Sequence, residues 1–476
     1  MPLISTDKIS KIKEKANELL NRTLDQHVNL AVTGLSRSGK TAFITSLVNQ
    51  LINEGSTTHL SFFNPVHQGR FIAAKRVPQK NVHIARFDYE QALDALSQPS
   101  PYWPEPTKGI SELRLAIKYR PKDSMLKYAT EMATLTLDIT DYPGEWLLDL
   151  PMLNQTFEVW SETMSRLLSE EPRVERAQVW LDKVTSIDPF KVADEQEIAE
   201  LAHEYTELLH YYRNELGLSV IQPGRFILPG ELAGAPILEF FPFTAMANVD
   251  GNAYQNAEDD SVIGMLRARF LEYRERVVKR FYKDHFLKFD RQIVLADCLT
   301  PLNKGKHSFT DLQQAISMIM ESYSYGQSSL FSRLFSPKID KLLFAATKAD
   351  HVTPEQHSHL TSLLNQLIYS TKHKLNFDAI EMKSLAIASV KASENGKSQH
   401  KGQLVPVIRG RQLESEQLVT LFPGSVPDKL PESDFWTERP FNFINFAPLK
   451  PIAKHECLPH LRLDQALQFL LGDKML

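Results

Sequence analysis

Cysteine is almost absent from the sequence: Cys298 and Cys457 are the two that occur, and they form no CxxC pair. Two cysteines are too few for a disulfide framework, and the usual spacing of a structural zinc site is missing. We therefore expect a chain that folds in a reducing compartment without covalent cross-links.

Long apolar runs and a strong charge of one sign are also missing. Nowhere do about 18 apolar residues follow one another, and the N-terminal stretch MPLISTDKISKIKEKANELL carries lysines where a signal peptide needs an apolar segment. The net charge of -4 provides no general field for attracting nucleic acid. The sequence predicts a cytoplasmic protein with no integral membrane segment and no nucleic-acid partner.

What the sequence does contain is ordinary globular composition and a clear alternation of patterns. Near-continuous apolar runs at 291–299, 341–350 and 384–393 predict buried strands, and helical patterns near 308–323 and 354–373 separate them. Two alternating runs at 110–120 and 134–139 predict an antiparallel strand pair. The fold class indicated is α/β, with a mostly parallel sheet flanked by helices.

These patterns divide the chain into five predicted regions. An amphipathic N-terminal helix that packs on the core occupies 1–27, and the first part of the core occupies 28–146. A mainly helical insertion follows at 147–289, including one long helix at 261–288, and the second part of the core at 290–400. Residues 401–476 are predicted to form a proline-rich extension with a closing helix near 463–472, and a polar loop is predicted after Ser393.

The residues that carry chemistry begin with GLSRSGKT, which matches GxxxxGK[ST] between a predicted strand and a predicted helix at 40–53. In this pattern glycines let successive backbone amides face phosphate oxygens, the lysine reaches the β- and γ-phosphates, and the hydroxyl binds Mg²⁺. The predicted phosphate-binding residues are Gly34, Ser36, Arg37, Ser38, Gly39, Lys40, Thr41 and Ala42.

A DxxG element, Asp141-Tyr-Pro-Gly144, follows the second strand of the predicted antiparallel pair. Its position suits an acidic residue that holds Mg²⁺, directly or through water. Gly144 would then sense the γ-phosphate through its backbone amide.

Selection of the base is predicted at Thr347-Lys-Ala-Asp350, which closes a buried strand. A carboxylate accepts from guanine N1–H and the exocyclic amino group together, so Asp350 would select guanine while the stem of Lys348 covers the base. After the next strand, Ser389-Val390-Lys391 resembles the loop whose amide meets guanine O6. These residues predict a GTP or GDP site.

The order of P-loop, DxxG, TKxD and SxK resembles the Ras-like GTPase superfamily across 34–146 and 290–393. More narrowly, GLSRSGKTAFITSLVNQL, DITDYPGEWLLDLPML and the long insertion resemble the YcjX-like family of bacterial P-loop proteins. That resemblance implies a stress-linked cytoplasmic GTPase, but it does not supply the cellular target.

Two residues differ from the pattern of small Ras-like GTPases. Glu145 stands where a water-orienting glutamine is usual, so its role is open. Arg37 occupies the P-loop position at which guanylate-binding proteins carry an internal arginine. We hypothesise a catalytic arginine acting in cis, with a surface arginine as the alternative.

The remaining element is a threonine that closes over Mg²⁺ and the γ-phosphate. Thr107 precedes the first strand of the antiparallel pair and is placed for this role, with Thr57 and Thr58 as competitors. The irregular segment 56–109 is then a long first switch. The predicted metal ligands are Thr41, Thr107 and Asp141.

The function indicated is a Mg²⁺-dependent, GTP-hydrolysing molecular switch in which Lys40, Arg37, Thr107, Gly144 and Glu145 take part in catalysis. Its partner would be an unidentified protein effector that contacts the helical insertion. Two alternatives stay open: an ATP-driven motor or chaperone-like ATPase, and a nucleotide-bound scaffold with slow turnover.

Overall fold

The computed structural model describes residues 26–35, 37–53, 59–122, 131–324, 339–372, 380–432, 435–438, 441–450 and 457–475. The predicted N-terminal helix, Ser36, Thr57 and Thr58 lie outside the described residues.

A central sheet with mostly parallel strands organises the molecule. In chain order its strands are β1 (Gln26–Gly34), β2 (Phe71–Val77), β3 (Ala85–Arg86), β4 (Ser111–Tyr119), β5 (Ala133–Asp141), β6 (Arg291–Ala296), β7 (Lys341–Ala346) and β8 (Glu381–Ala386). Their spatial order is β2-β4-β5-β1-β6-β7-β8, with β3 beside β4. Strands β5, β1, β6, β7 and β8 run parallel. The predicted α/β class and the antiparallel pairing of β4 with β5 are confirmed.

Helices cover both faces of the sheet, as the apolar strands require. Along β7, Leu343 and Ala345 pack on the first face, against α1 (Lys40–Asn53) and the closing helix α15 (Leu463–Leu471). Phe344 packs on the second face, against α12 (Lys306–Ser324) and α13 (His357–Lys372). The even and odd positions of a buried strand therefore belong to two different cores.

The segment between β5 and β6 is mainly helical. Its helices are α4 (Phe157–Leu168), α5 (Val174–Thr185), α6 (Glu195–Asn214), α7 (Gly224–Ile227), α8 (Gly251–Gln255), α9 (Val262–Tyr273) and α10 (Lys279–Asp284). A π-helical turn at Arg274–Val278 joins α9 to α10, so the single long helix predicted for 261–288 was wrong in this detail. The helical segment shares one continuous apolar core with the second face of the sheet.

Short elements complete the chain: α2 (Asn64–His67), α3 (Tyr89–Ser97), α11 (Leu299–Lys304) and α14 (Phe435–Glu438). No helix in the described ranges combines the length and the apolar character needed to cross a membrane.

The prediction of an irregular segment over 56–109 was wrong in part, because β2, β3 and α3 lie within it. Strand β2 lies at one edge of the sheet, and its residues Phe71–Val77 are mostly exposed. An edge strand buries little, so its sequence lacks the apolar alternation by which strands are recognised. The predicted strands at 291–299, 341–350 and 384–393 were too long, because each ends where the chain turns into the candidate site.

The polar loop predicted after Ser393 was wrong, and strands also occur in the proline-rich extension that follows it. Residues Ser393–His400 (β9), Gln403–Arg411 (β10) and Leu418–Leu421 (β11) form a three-stranded antiparallel sheet. Pro406 lies in the middle strand, but β11 pairs only with residues 408–411 of β10. The proline therefore occupies a stretch with a single neighbour, where a missing amide is tolerated.

Candidate functional site

The phosphate loop lies at the carboxyl end of β1, where the chain turns directly into helix α1. Arg37 and Gly39 have φ values of 61° and 81°, a left-handed backbone that suits glycine and that lets the loop curl. Lys40 is the first residue of α1, and its Nζ donates to the carbonyl of Gly34 over 3.1 Å. The loop thus presents a helix N-terminus and an ammonium group at one place, an arrangement suited to anions.

The DxxG turn packs against this loop. Strands β1 and β5 are neighbours, with Val32 opposite Asp141 in register. A β-carbon built on Gly144 would lie 2.3 Å from the carbonyl oxygen of Gly34, so the two backbones touch. This close approach requires glycine at position 144.

The three predicted metal ligands come from three separate segments, and the structure brings them together. The hydroxyl of Thr107 donates to Asp141 Oδ2 over 2.5 Å. Thr41 donates through its hydroxyl to the carbonyl of Glu105 over 3.0 Å, which holds the segment around Thr107 over the start of α1. The segment carrying Thr107 is therefore in place beside the phosphate loop.

Asp141 is an ionisable group held away from water. It is 2% exposed, and its Oδ1 accepts no hydrogen bond from the described residues. Burial raises the pKa of its carboxyl to about 6, although Lys40 and Thr107 oppose this shift. A buried carboxylate oxygen without a donor is a ready position for a cation.

The ligand types around Asp141 suit a hard cation such as Mg²⁺. Two hydroxyls and one carboxylate offer oxygen alone, and Mg²⁺ is usually held by one or two carboxylates with the remaining positions taken by water and substrate phosphates. In the described part of the chain no group of three His, Cys, Asp or Glu side chains is assembled for a metal. The site fits a metal that arrives with a phosphate.

At the base end, the ammonium group of Lys348 is held by oxygen acceptors from two other segments of the chain. Its backbone is left-handed, with φ of 59°, and its Nζ lies 2.6 Å from Asp297 Oδ2 and 3.2 Å from Asn445 Oδ1. Asp297 is buried; burial alone would raise the pKa of its carboxyl, but Lys348 and Thr300 together hold that pKa below its usual value. The predicted TKxD element is thus tied both to the end of β6 and to the C-terminal segment.

Asp350 joins the two predicted base-binding loops. Its Oδ2 accepts from the backbone amides of Ala392 at 2.5 Å and Ser393 at 3.2 Å, directly after Ser389-Val390-Lys391. At the start of the same element, the backbone amide of Thr347 donates a hydrogen bond to the carbonyl of Ala296. One oxygen of Asp350 is therefore committed to the protein backbone.

The base loop and the phosphate helix also share apolar contacts. Val390 and Ala42 are both buried and belong to one small cluster with Leu96 and Leu458. Ala42 therefore supports the site from within the core.

Glu145 and Arg37 face the helical segment. Glu145 is 2% exposed and its Oε1 lies 3.2 Å from Nε of Arg213, in the last turn of α6. Arg37 is exposed, and its Nη2 donates over 3.1 Å to the carbonyl of Asn214, the last residue of the same helix. The end of α6 thus contacts both the phosphate loop and the residue after DxxG.

Sequence reasoning missed several residues of this site: Glu105, Arg213, Asp297 and Asn445. Asp297 had a signal, since it is a charged residue at the carboxyl end of an apolar strand, where ligand sites of α/β sheets lie. Arg213 had none, because a charged residue on the polar face of an amphipathic helix is ordinary.

The fold and the site define an α/β protein with a Ras-like P-loop NTPase core and a large, mainly helical insertion. Comparison with known proteins agrees: the model of the YcjX-like family (DUF463) matches residues 28–475. The chain is 47% identical to the Ras-like GTPase YcjX of Escherichia coli (strain K12), over 98% of this chain and 100% of that protein. It is 45% identical to the Ras-like GTPase YcjX of Shewanella oneidensis, over 98% of each. The chain belongs to the YcjX-like family.

Proposed function

We propose that this protein is a Mg²⁺-dependent molecular switch that binds and hydrolyses GTP. The observation that carries the proposal is the convergence of Thr41, Thr107 and Asp141 at the start of α1, linked by the Thr107–Asp141 hydrogen bond. The names of the two relatives, both Ras-like GTPases, support the same reaction.

Each segment has a part in this proposal. The amides of residues 37–41, including Ser38, would surround the phosphates, and Lys40 would turn from Gly34 to the β- and γ-oxygens. Thr41, Thr107 and Asp141 would hold Mg²⁺. Bound Mg²⁺ supplies positive charge that offsets the charge developing on the phosphoryl oxygens.

Loss of the γ-phosphate would release the segment around Thr107 and the turn at Gly144. Because Glu145, directly after the turn, contacts Arg213 of α6 and Gly224 of α7 in the helical segment, movement of the turn would change the surface offered to a protein effector. The family resemblance adds a stress-linked role in the cytoplasm to this proposal.

Guanine selectivity rests on Asp350 and on the loop of Ser389, Val390 and Lys391. Oδ2 of Asp350 accepts two backbone amides. Guanine then pairs with Oδ1, or displaces one amide as the loop shifts. The cis catalytic role hypothesised for Arg37 would require its guanidinium to leave the carbonyl of Asn214.

The test is calorimetric titration of nucleotide-stripped protein with GDP, GTP, XTP and ATP in Mg²⁺. Wild type should bind guanine nucleotides tightly and ATP at least about 100-fold more weakly, since lost hydrogen bonds to a charged group cost about 1.5–3 kcal/mol each. Asp350→Asn should bind GTP about 100-fold more weakly and should gain affinity for XTP, because the amide of asparagine offers a donor to xanthine O2.

Asp259→Asn, an exposed position in the helical segment, is the matched control and should bind as wild type does. Equal binding of ATP and GTP by wild type would overturn the proposal and favour an ATPase. Tight GTP binding without multiple turnover would favour the scaffold.

A further inference from the structure

The carboxylate of Glu145 is buried beside the phosphate loop without a hydrogen-bond donor. The residue is 2% exposed, and neither Oε1 nor Oε2 accepts a hydrogen bond from the described residues. Leaving a buried charged acceptor unsatisfied is costly, so such a group in a native structure requires an explanation such as a catalytic role or a bound water.

The backbone around Glu145 leaves it little freedom to move out. A β-carbon built on Gly224, at the start of α7, would lie 2.3 Å from the carbonyl oxygen of Glu145. On its other side, Gly144 touches the carbonyl of Gly34 in the phosphate loop. The residue is held between the phosphate loop and the helical segment, with its carboxylate at their boundary.

One positive charge faces this carboxylate. Nε of Arg213 lies 3.2 Å from Oε1, in an arrangement too bent to count as a hydrogen bond, and the Arg213 side chain is 17% exposed. Arg213 is presented by the last turn of α6, whose final carbonyl, that of Asn214, is held by Arg37. Helix α6 is therefore fixed against the loop at the point where Arg213 meets Glu145.

We propose that Arg213 is a positioning residue that holds the Glu145 carboxylate toward the water that attacks the γ-phosphate. The inference rests on the proposed GTP hydrolysis. A carboxylate alone would be repelled by the phosphate oxygens, whereas its pair with Arg213 carries no net charge. Its oxygens, still lacking donors, then accept from the attacking water.

The chemical step balances within this arrangement. The water oxygen bonds to the γ-phosphorus as the bond to the bridging oxygen breaks, and the bridging oxygen keeps the electron pair in GDP. The proton that the water gives up is accepted by Glu145 and passes to the phosphate product. Glu145 is then the catalytic residue, and Arg213 acts only through it.

The experiment is a double-mutant cycle on single-turnover GTP hydrolysis, with nucleotide affinity measured on each variant. Glu145→Gln should slow hydrolysis by on the order of 100-fold, the usual contribution of a general base. Arg213→Ala should slow it by at least about tenfold with GTP affinity within about threefold of wild type, and Arg213→Lys should recover part of the loss. The double variant should be no slower than Glu145→Gln alone, since coupled residues are non-additive.

Arg280→Ala is the matched control, because Arg280 lies in the same helical segment with its side chain 80% exposed. If Arg213→Ala unfolds at assay temperature, Glu145→Gln with Arg213→Gln leaves no unpaired buried charge and should hydrolyse GTP as Glu145→Gln does. Wild-type hydrolysis by Arg213→Ala, or losses that multiply in the double variant, would overturn the inference. Absence of GTP binding by wild type would instead overturn the proposed function.

Discussion

The phosphate end and the base end of the candidate site both contain buried carboxyl groups, but the pKa values of these groups are shifted in opposite directions. At the phosphate end, Asp141 is buried and its pKa is raised to about 6, mainly by burial. The pKa of Asp149, which is buried against the helical segment a few residues after the DxxG turn, is raised for the same reason. At the base end, Asp297 is just as buried, yet Lys348 and Thr300 hold its pKa below the usual value. At the base end, the charge of the buried carboxylate is therefore compensated by groups of the protein itself.

This difference suggests that the two ends of the site respond differently to ligand binding. At the base end, the Lys348–Asp297 ion pair and the backbone amides that donate to Asp350 Oδ2 already compensate charged groups before a ligand binds. At the phosphate end, Asp141 Oδ1 accepts no hydrogen bond from the described residues, so a bound cation would offset the cost of burying this carboxylate. Ligand binding should therefore stabilise the phosphate end more than the base end.

The largest expected effect comes from removing the cation that the phosphate loop itself supplies. Lys40→Ala should weaken GDP binding by on the order of 100- to 1,000-fold, because truncating one partner of a buried charge pair costs about 2–5 kcal/mol. Calorimetric titration measures the affinity. Lys108→Ala is the control, since this lysine is nearby but its side chain is 75% exposed, and it should change affinity less than about twofold. Equal affinities for the two variants would contradict the assignment of Lys40 to the phosphates.

At the base end, replacing the buried-pair lysine Lys348 should affect folding as well as binding. Lys348→Met removes the partner of buried Asp297 and should lower the free energy of unfolding by about 3 kcal/mol. Denaturant unfolding of nucleotide-free protein measures this quantity. Adding Asp297→Asn should recover part of the loss, whereas Lys183→Met, which breaks an exposed pair with Glu204, should cost under about 1 kcal/mol. A loss no greater than that of Lys183→Met would mean that Lys348 does not compensate the buried charge of Asp297.

The third prediction concerns pH and the buried Asp149, whose oxygens accept from the amide of Gly224 at 2.8 Å and the hydroxyl of Tyr273 at 2.6 Å. Its pKa is raised to about 7 by burial, against about 3.9 in an unfolded chain. The folded state therefore holds this proton more tightly, and the stability so gained is complete below about pH 4 and lost as pH rises toward 7.

Asp149→Asn has no proton to lose and should exceed wild type by about 2 kcal/mol in free energy of unfolding at pH 8. The difference should shrink by pH 4.5, where both side chains are uncharged. Denaturant unfolding at the two pH values measures it. A difference that is the same at both pH values would show that the carboxyl does not titrate in this range.

The smallest expected effect is at Arg37, which the structure engages with helix α6. Arg37→Ala should cost about 0.3–1 kcal/mol of stability, the usual value of a cation at a helix C-terminus, and change single-turnover hydrolysis less than about tenfold. Stopped-flow or quench measurements give the rate. A loss of about 1,000-fold or more would instead support the catalytic arginine hypothesised from the sequence.

Prediction from the sequence succeeded for features that are encoded in one continuous segment of the chain. The phosphate loop and helix α1 follow from residues 34–53, and the buried strands β6 and β7 follow from continuous apolar runs. It failed for β2, β9, β10 and β11, whose exposed residues and single proline lack the period of a half-buried strand. It also failed for Arg213, because pairing across 68 residues of chain leaves no trace in local spacing.

The sequence by itself determined the α/β class and the P-loop, DxxG and TKxD motifs, because these depend on regular apolar patterns or on residue types at short, fixed spacings. It also predicted Thr41 and Asp141 as Mg²⁺ ligands, but it left Thr107 in competition with Thr57 and Thr58. The tertiary structure decided that Thr107 lies against Asp141, that Lys348 is paired with Asp297, and that the end of helix α6 meets Glu145. Those contacts join segments far apart in the chain, and only packing of the two faces of the sheet brings them within hydrogen-bond distance.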